Sequence, residues 1–162
     1  MDQCLLGSAA ASVDAKRAES PPISIIVDDP QLEGYGPTKH TTYRLVSTGA
    51  GSSASCRHRF SEFGRVRDEL MRASPGVVLP VLPEKQVLNR FAPEFIEKRG
   101  KLLELFLKQL ISHPIVVSLP MLATFLDWPE PLVGAAQALS KRVELPALEV
   151  ADGGDPLSDA AT

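Results

Sequence analysis

The residues of this sequence best suited to chemistry are basic. Arg57 and Arg59 lie two apart in a stretch of strand composition, so both side chains leave one face and set two guanidinium groups side by side. Lys85 follows Pro80-Val81-Leu82-Pro83-Glu84, where two prolines hold φ near the polyproline value. A flexible ammonium on so stiff a backbone is suited to presenting a point charge to a phosphate. Arg99 is the most demanding of the set. At about 100° per residue from Phe95 it falls near 40°, inside the apolar sector of Leu102, Phe106, Leu110 and Ile96. A guanidinium that starts from the core side must snorkel outward or meet an anion, and that anion is either a protein carboxylate or a ligand. Helix geometry alone favours the carboxylate.

Enzyme chemistry finds no comparable set. His40, His58 and His113 fall in three different elements without paired cysteines or carboxylates at ligand spacing, so no metal site is expected. Cys56 and His58 share a face of one strand, but a thiol and an imidazole there read as packed neighbours rather than a nucleophile with its base. Gly49-Ala50-Gly51 lacks the Gly-Lys-Ser/Thr ending of a phosphate loop and reads as a hairpin turn. The expectation is no catalytic residue, no metal and no cofactor. Cys4 and Cys56 belong to no C-x-x-C pair and read as reduced thiols of a cytosolic protein.

The charge balance sharpens the first point. Across 162 residues, 17 Lys/Arg against 20 Asp/Glu leave a net charge of −3, which argues against nucleic acid or any partner held by bulk electrostatics. That average hides a patch. Residues 57–101 carry ten basic against six acidic side chains, a net of +4, whereas 1–56 carry −2 and 102–162 carry −5. No apolar run approaches the ~20 residues of a membrane span. The first twenty residues lack the regions of a signal peptide, and Asp2 stands where myristoylation would need glycine.

These basic residues need elements to hold them. Residues 1–22, ending in Pro21-Pro22, suit a flexible arm. Ile23 to Val27, closed by Asp28-Asp29-Pro30, reads as a strand; Thr41 to Ser47 and Ser55 to Phe60 follow as its antiparallel partners around a turn at Gly49–Ser53. Ser61 is the expected N-cap of a helix to about Arg72, with Phe63, Val66 and Leu70 on one face. The proline segment after it is an extended, ordered loop. Pro93 opens a second helix to Ser112, which Pro114 prevents from continuing, and a short helix follows over Met121–Trp128. Residues 132–144 have weak helical character inside an acidic, largely disordered tail, 130–162. The fold class is therefore α+β: a three-stranded antiparallel β-meander packed against three to four helices, with a proline-rich extended loop.

Three stretches, in this order and at these separations, resemble the signature of phox-homology (PX) domains: Arg57-His58-Arg59-Phe60-Ser61-Glu62-Phe63, Leu79-Pro80-Val81-Leu82-Pro83-Glu84-Lys85 and Phe95-Ile96-Glu97-Lys98-Arg99. The resemblance covers roughly Ile23 to Trp128, placing the domain at 23–129. Phe-Ile-Glu-x-Arg and Ser112-His113-Pro114 are most similar to the sorting-nexin branch. The family implies a non-enzymatic module that binds a phosphoinositide headgroup, usually phosphatidylinositol 3-phosphate, on the cytoplasmic face of endosomal membranes.

By position, Arg59 matches the arginine on the 3-phosphate and Phe60 the aromatic ring packed on the inositol. Lys85 matches the lysine on the 1-phosphate, and Arg99 the arginine on the 4- and 5-hydroxyls. A ligand thus replaces the carboxylate as the expected partner of Arg99, since a guanidinium fork suits adjacent hydroxyls and a 4- or 5-phosphate would crowd it. His58 replaces a frequent Arg or Lys, so its protonation would strengthen binding at low pH. Val87, Leu88 and Phe91, beside Arg90, are candidates for a loop that inserts into the membrane or else joins the core. The competing reading is a protein-interaction module of the same fold with little lipid affinity, taking a sorting nexin or a cargo protein as partner. Only 34 residues follow Trp128, too few for the BAR domain that many sorting nexins carry after this module.

Overall fold

The computed structural model describes residues 23–142; the arm expected at 1–22 and the tail beyond 142 lie outside the described residues. Three antiparallel strands, β1 (Ile23–Glu33), β2 (His40–Gly49) and β3 (Ser52–Arg59), form one sheet in the order β1-β2-β3. Alternation turns Ile23, Ile25, Tyr43 and Leu45 into the core. Gly49 pairs with Ser52 across Ala50-Gly51, both at positive φ (48° and 71°), so the chain reverses in a two-residue hairpin.

β1 does not stop at Asp28, as Asp28-Asp29-Pro30 suggested. Pairing passes from Asp28↔Arg44 to Gln31↔Thr42 through a bulge in which Asp29 adopts φ 44°. The bulge absorbs the proline's missing N–H, and two arginines hold it. Arg44 donates from Nε and Nη2 to the Asp28 carboxylate at 2.8 and 2.9 Å. Arg57 donates to the Asp29 carboxylate (2.8 Å) and carbonyl (2.6 Å).

Five helices follow: α1 (Phe60–Ala73), α2 (Pro93–Ser112), α3 (Pro114–Val117), α4 (Pro120–Phe125) and α5 (Glu130–Lys141). α1 opens two residues before the Ser61 cap allows, with Arg59 as its N-cap, because the Glu62 carboxylate takes the Arg59 N–H at 2.8 Å. Pro114 not only stops α2 but starts α3. The expected Met121–Trp128 helix is shorter, ending at Phe125 before Asp127 turns the backbone to φ 51°. The tail boundary also needs correction. Residues 130–141 form α5, with Leu132 and Ala136 buried four apart on one face.

α2 packs on β1 and buries Ile96, Arg99, Gly100, Leu103, Phe106, Leu107, Leu110 and Ile111. The sector drawn through Leu102 was therefore rotated: Leu102 is 40% exposed and Leu103 fully buried. Glu104 ties helix to sheet by accepting the Val27 N–H at 3.0 Å. The proline segment is extended, with the three-residue period of polyproline. Leu79 and Leu82 turn inward, while Val78 and Val81 face outward. Arg67 Nε fastens it by donating to the Pro80 carbonyl at 3.1 Å.

Candidate functional site

The β3–α1 junction, the end of the proline segment, α2 and the start of β2 meet around a cleft of about 560 Å³. Arg59, Phe60, Lys85 and Arg99, singled out from the sequence, all line it. Each arrives by a different route. Arg59 is the last residue of β3, where the Glu62 cap turns the chain into α1 and sets Phe60 beside it. Lys85 is carried by a segment anchored through Leu79, Leu82 and Pro80.

Arg99 projects from the buried face of α2 and is only 8% exposed. Its guanidinium stands between two rings, 4.2 Å from the centroid of Phe60 and 4.3 Å from that of Phe95. Nη2 donates to the Glu84 carbonyl at 3.2 Å, and the buried Nε has no protein partner. Burial draws the pKa of Arg99 below the usual guanidinium value; Tyr43 opposes this and the charge of Arg90 adds to it. The group stays charged at physiological pH. The carboxylate favoured by helix geometry does not appear: Arg99 forms no ion pair among the described residues. The same holds for Arg59, Lys85, Lys39 and Arg90, which also border the cleft. Five cations without a carboxylate around one cavity make a site for an anion.

The other sequence candidates separate from it. Arg57 shares a face with Arg59 but is committed to Asp29 in the β1 bulge. His58 leaves the opposite face of β3. Its ring stacks on Phe125 at 4.1 Å, Nε2 donates to the Phe125 carbonyl at 2.7 Å, and Nδ1 lies 3.3 Å from Glu62. It ties the sheet to α4 and does not line the cleft. Val87 and Leu88 stand out at 83% and 78% exposure. Phe91 does not join them: it is half-buried, with Lys39 Nζ 4.9 Å and the Arg90 guanidinium 4.6 Å from its ring centroid.

Sequence reasoning missed Lys39 and Phe95 and counted Arg90 only as charge. Phe95 had a signal, since it precedes Arg99 by four residues on one helix. Lys39 had none, because the irregular stretch between β1 and β2 carries no period. Among the described residues, no cluster of His, Cys, Asp and Glu could hold a metal, and no helix is long and apolar enough to cross a membrane.

Comparison with known proteins agrees with the fold. The family model described as "PX domain" matches residues 46–129. Sorting nexin-3 of Schizosaccharomyces pombe is 36% identical over 114 residues, which cover 67% of this chain and 80% of that protein. Sorting nexin-30 of Homo sapiens is 33% identical over 107 residues, 60% of this chain but only 24% of that longer protein. Vacuolar protein sorting-associated protein vps5 of S. pombe is 34% identical over 102 residues, 59% of this chain and 18% of that one. The chain thus spans a quarter or less of these two larger relatives. Among solved structures, a designed CISK-PX domain superposes with a TM-score of 0.57 at 27% identity, covering 64% of this chain and 97% of that one.

Proposed function

The chain belongs to the PX-domain family, with sorting nexins among its relatives, and from that premise we propose that it is a non-enzymatic module binding phosphatidylinositol 3-phosphate. Through that lipid it recruits its chain to the cytoplasmic face of endosomal membranes for protein sorting. The observation that carries this reading is the cleft lined by five cations, none of which meets a carboxylate among the described residues.

The roles follow from how each cation is held. Arg59, exposed at the strand end, takes the 3-phosphate, and Lys85, at the end of the stiff proline segment, takes the 1-phosphate. Arg99 is fixed by Phe60, Phe95 and the Glu84 carbonyl, so its position does not adapt to the ligand. A planar fork held this firmly suits two adjacent ring hydroxyls and leaves little room for a 4- or 5-phosphate. Phe60 reaches both Arg99 and the cleft, so one side chain orients the arginine and supplies apolar surface to the inositol ring.

Liposome sedimentation across the phosphoinositide series tests this. Binding is expected to be strongest with phosphatidylinositol 3-phosphate and to be lost in Arg59→Ala; no lipid preference, or an unaffected variant, overturns the reading. A second reading, a protein-interaction module, draws on Val78 and Val81, which form an exposed apolar ridge on the proline segment. Retained lipid binding after Val78→Ser and Val81→Ser would separate that ridge from the cleft.

A further inference from the structure

A second cavity lies apart from the cleft, between the end of α3, α4 and α5. Its volume is about 510 Å³, and it shares no lining residue with the cleft. Val117, Pro120, Ala123, Val133 and Ala136 supply apolar walls, and Trp128 supplies an aromatic one. Trp128 is only 8% exposed, yet its indole Nε1–H meets no acceptor among the described residues. Buried donors ordinarily find a partner, so this one leaves a hydrogen bond to be made. Such a size, with an apolar lining and a few polar groups, suits a site that encloses part of a ligand.

The polar groups indicate which ligand. Ser118 and Thr124 donate to the Ile115 and Pro120 carbonyls, each at 3.0 Å, which leaves their oxygens free to accept. Gln137 adds an exposed carboxamide, with both donor and acceptor. Together with the indole N–H, these match the N–H and C=O groups of a peptide backbone. The only charged residue lining the cavity is Asp127, which forms no ion pair among the described residues. It closes α4 at φ 51°, in a left-handed turn completed by the Trp128 N–H on the Ala123 carbonyl at 3.0 Å. Glycine fills such a position without strain, so the turn itself has no need of a carboxylate. Glu130, three residues on, is a second exposed carboxylate without an ion pair among the described residues.

We propose that this cavity binds a short peptide of a partner protein, taking an apolar side chain against Trp128 while an adjoining Lys or Arg pairs with Asp127. The peptide backbone supplies a carbonyl to the Trp128 N–H and N–H groups to Ser118 and Thr124. Charge complementarity selects the partner: the cavity carries a carboxylate and no cation, whereas the cleft carries five cations, so a basic peptide is drawn to the first and repelled by the second. An apolar pocket alone separates similar hydrophobic side chains poorly, so Asp127 carries the preference for a basic neighbour. This site is independent of the lipid reading.

The test uses Trp128, the one tryptophan of the chain, as its reporter. The full chain, without lipid, is used to select from a random octapeptide library that lacks Trp and Tyr, and the recovered peptides are titrated singly by Trp128 fluorescence. They are expected to pair an apolar residue with an adjacent Lys or Arg and to shift the Trp128 emission. Asp127→Asn, which keeps a residue at ease in the left-handed turn, should weaken binding about tenfold or more and erase the preference for Lys over Gln in the peptide. Gln137→Lys, at the exposed rim, should weaken it by repulsion. Both variants should keep calorimetric affinity for soluble inositol 1,3-bisphosphate within about twofold. Recovered peptides without the apolar–basic pair, binding that leaves Trp128 emission unchanged, or full affinity in both variants overturns the proposal. So does an equal loss of headgroup affinity in the two variants, which would make these residues structural. Isoamylamine bound as tightly as the peptides overturns the assignment to a peptide in favour of a small-amine pocket. Liposome binding judges the lipid reading separately from all of these outcomes.

Discussion

Arg99 and Arg57 show how similar guanidinium groups acquire opposite uses. Arg99 is buried between Phe60 and Phe95 with one hydrogen bond to a carbonyl, so most of its donors remain for a ligand. Arg99→Lys keeps a positive charge but removes the planar fork and its stacking, and affinity for soluble headgroup is expected to fall about tenfold or more by calorimetry. Arg57 directs Nη1 and Nη2 to Asp29. Arg57→Ala should therefore cost about 1–2 kcal/mol of stability in a denaturant titration and leave headgroup affinity unchanged, the reverse of Arg59→Ala. Both arginines were noticed in the sequence, but only one was understood there. Period 2 puts Arg57 and Arg59 on one face, while the bulge that consumes Arg57 depends on Asp29, 28 residues earlier. Arg99 was legible because a charge inside an apolar stripe is anomalous on any helix.

The elements divide in the same way between what is periodic and what is not. α2 declared itself by its apolar repeat, and its attachment to the sheet depends on Glu104, which lies between Lys108 on its own helix and the Val27 N–H on β1. Burial pushes its pKa up, but the hydrogen bonds from Lys108 and Val27 and the charge of Lys108 outweigh this, leaving it below the usual glutamate value. A carboxylate depressed in the folded state contributes stability above its unfolded pKa, about 4.3, and loses it as pH falls through the lower folded value. Glu104→Gln should thus lower stability near neutrality by about 1 kcal/mol and flatten its decline below about pH 4.3, measured by urea unfolding at several pH values. The connection from Lys85 to Pro93 has no period, so Val87, Leu88 and Phe91 looked alike in the sequence. In the fold the first two face outward while Phe91 turns in between Lys39 and Arg90. Leu88→Glu is accordingly expected to weaken liposome binding severalfold without changing soluble headgroup affinity; if both fall together, the loop is structural.

For the whole molecule, the net charge of −3 pointed away from a membrane, yet the fold gathers Lys39, Arg59, Lys85, Arg90 and Arg99 from four separate stretches of chain around one cleft. A charge average cannot report that convergence, because it discards position. Composition misled at the C-terminal boundary for a related reason. The stretch after Pro129 shares its low aromatic content with the acidic segment beyond it, and the pair Leu132 and Ala136 is too brief a stripe to stand out. In the fold that pair is enough, because α3 and the sheet already present an apolar surface for α5 to cover. If α5 is integral to the core, Leu132→Ala should cost about 2–5 kcal/mol, as for other fully buried leucines. Because α5 does not border the cleft, headgroup affinity below the lowered Tm should be unchanged. Thermal unfolding followed by circular dichroism, with calorimetry of headgroup binding at low temperature, reads both quantities on one variant. An unaltered Tm would make α5 an appendage rather than part of the domain, and a parallel loss of affinity would show that the cleft depends on core packing by a helix that does not border it.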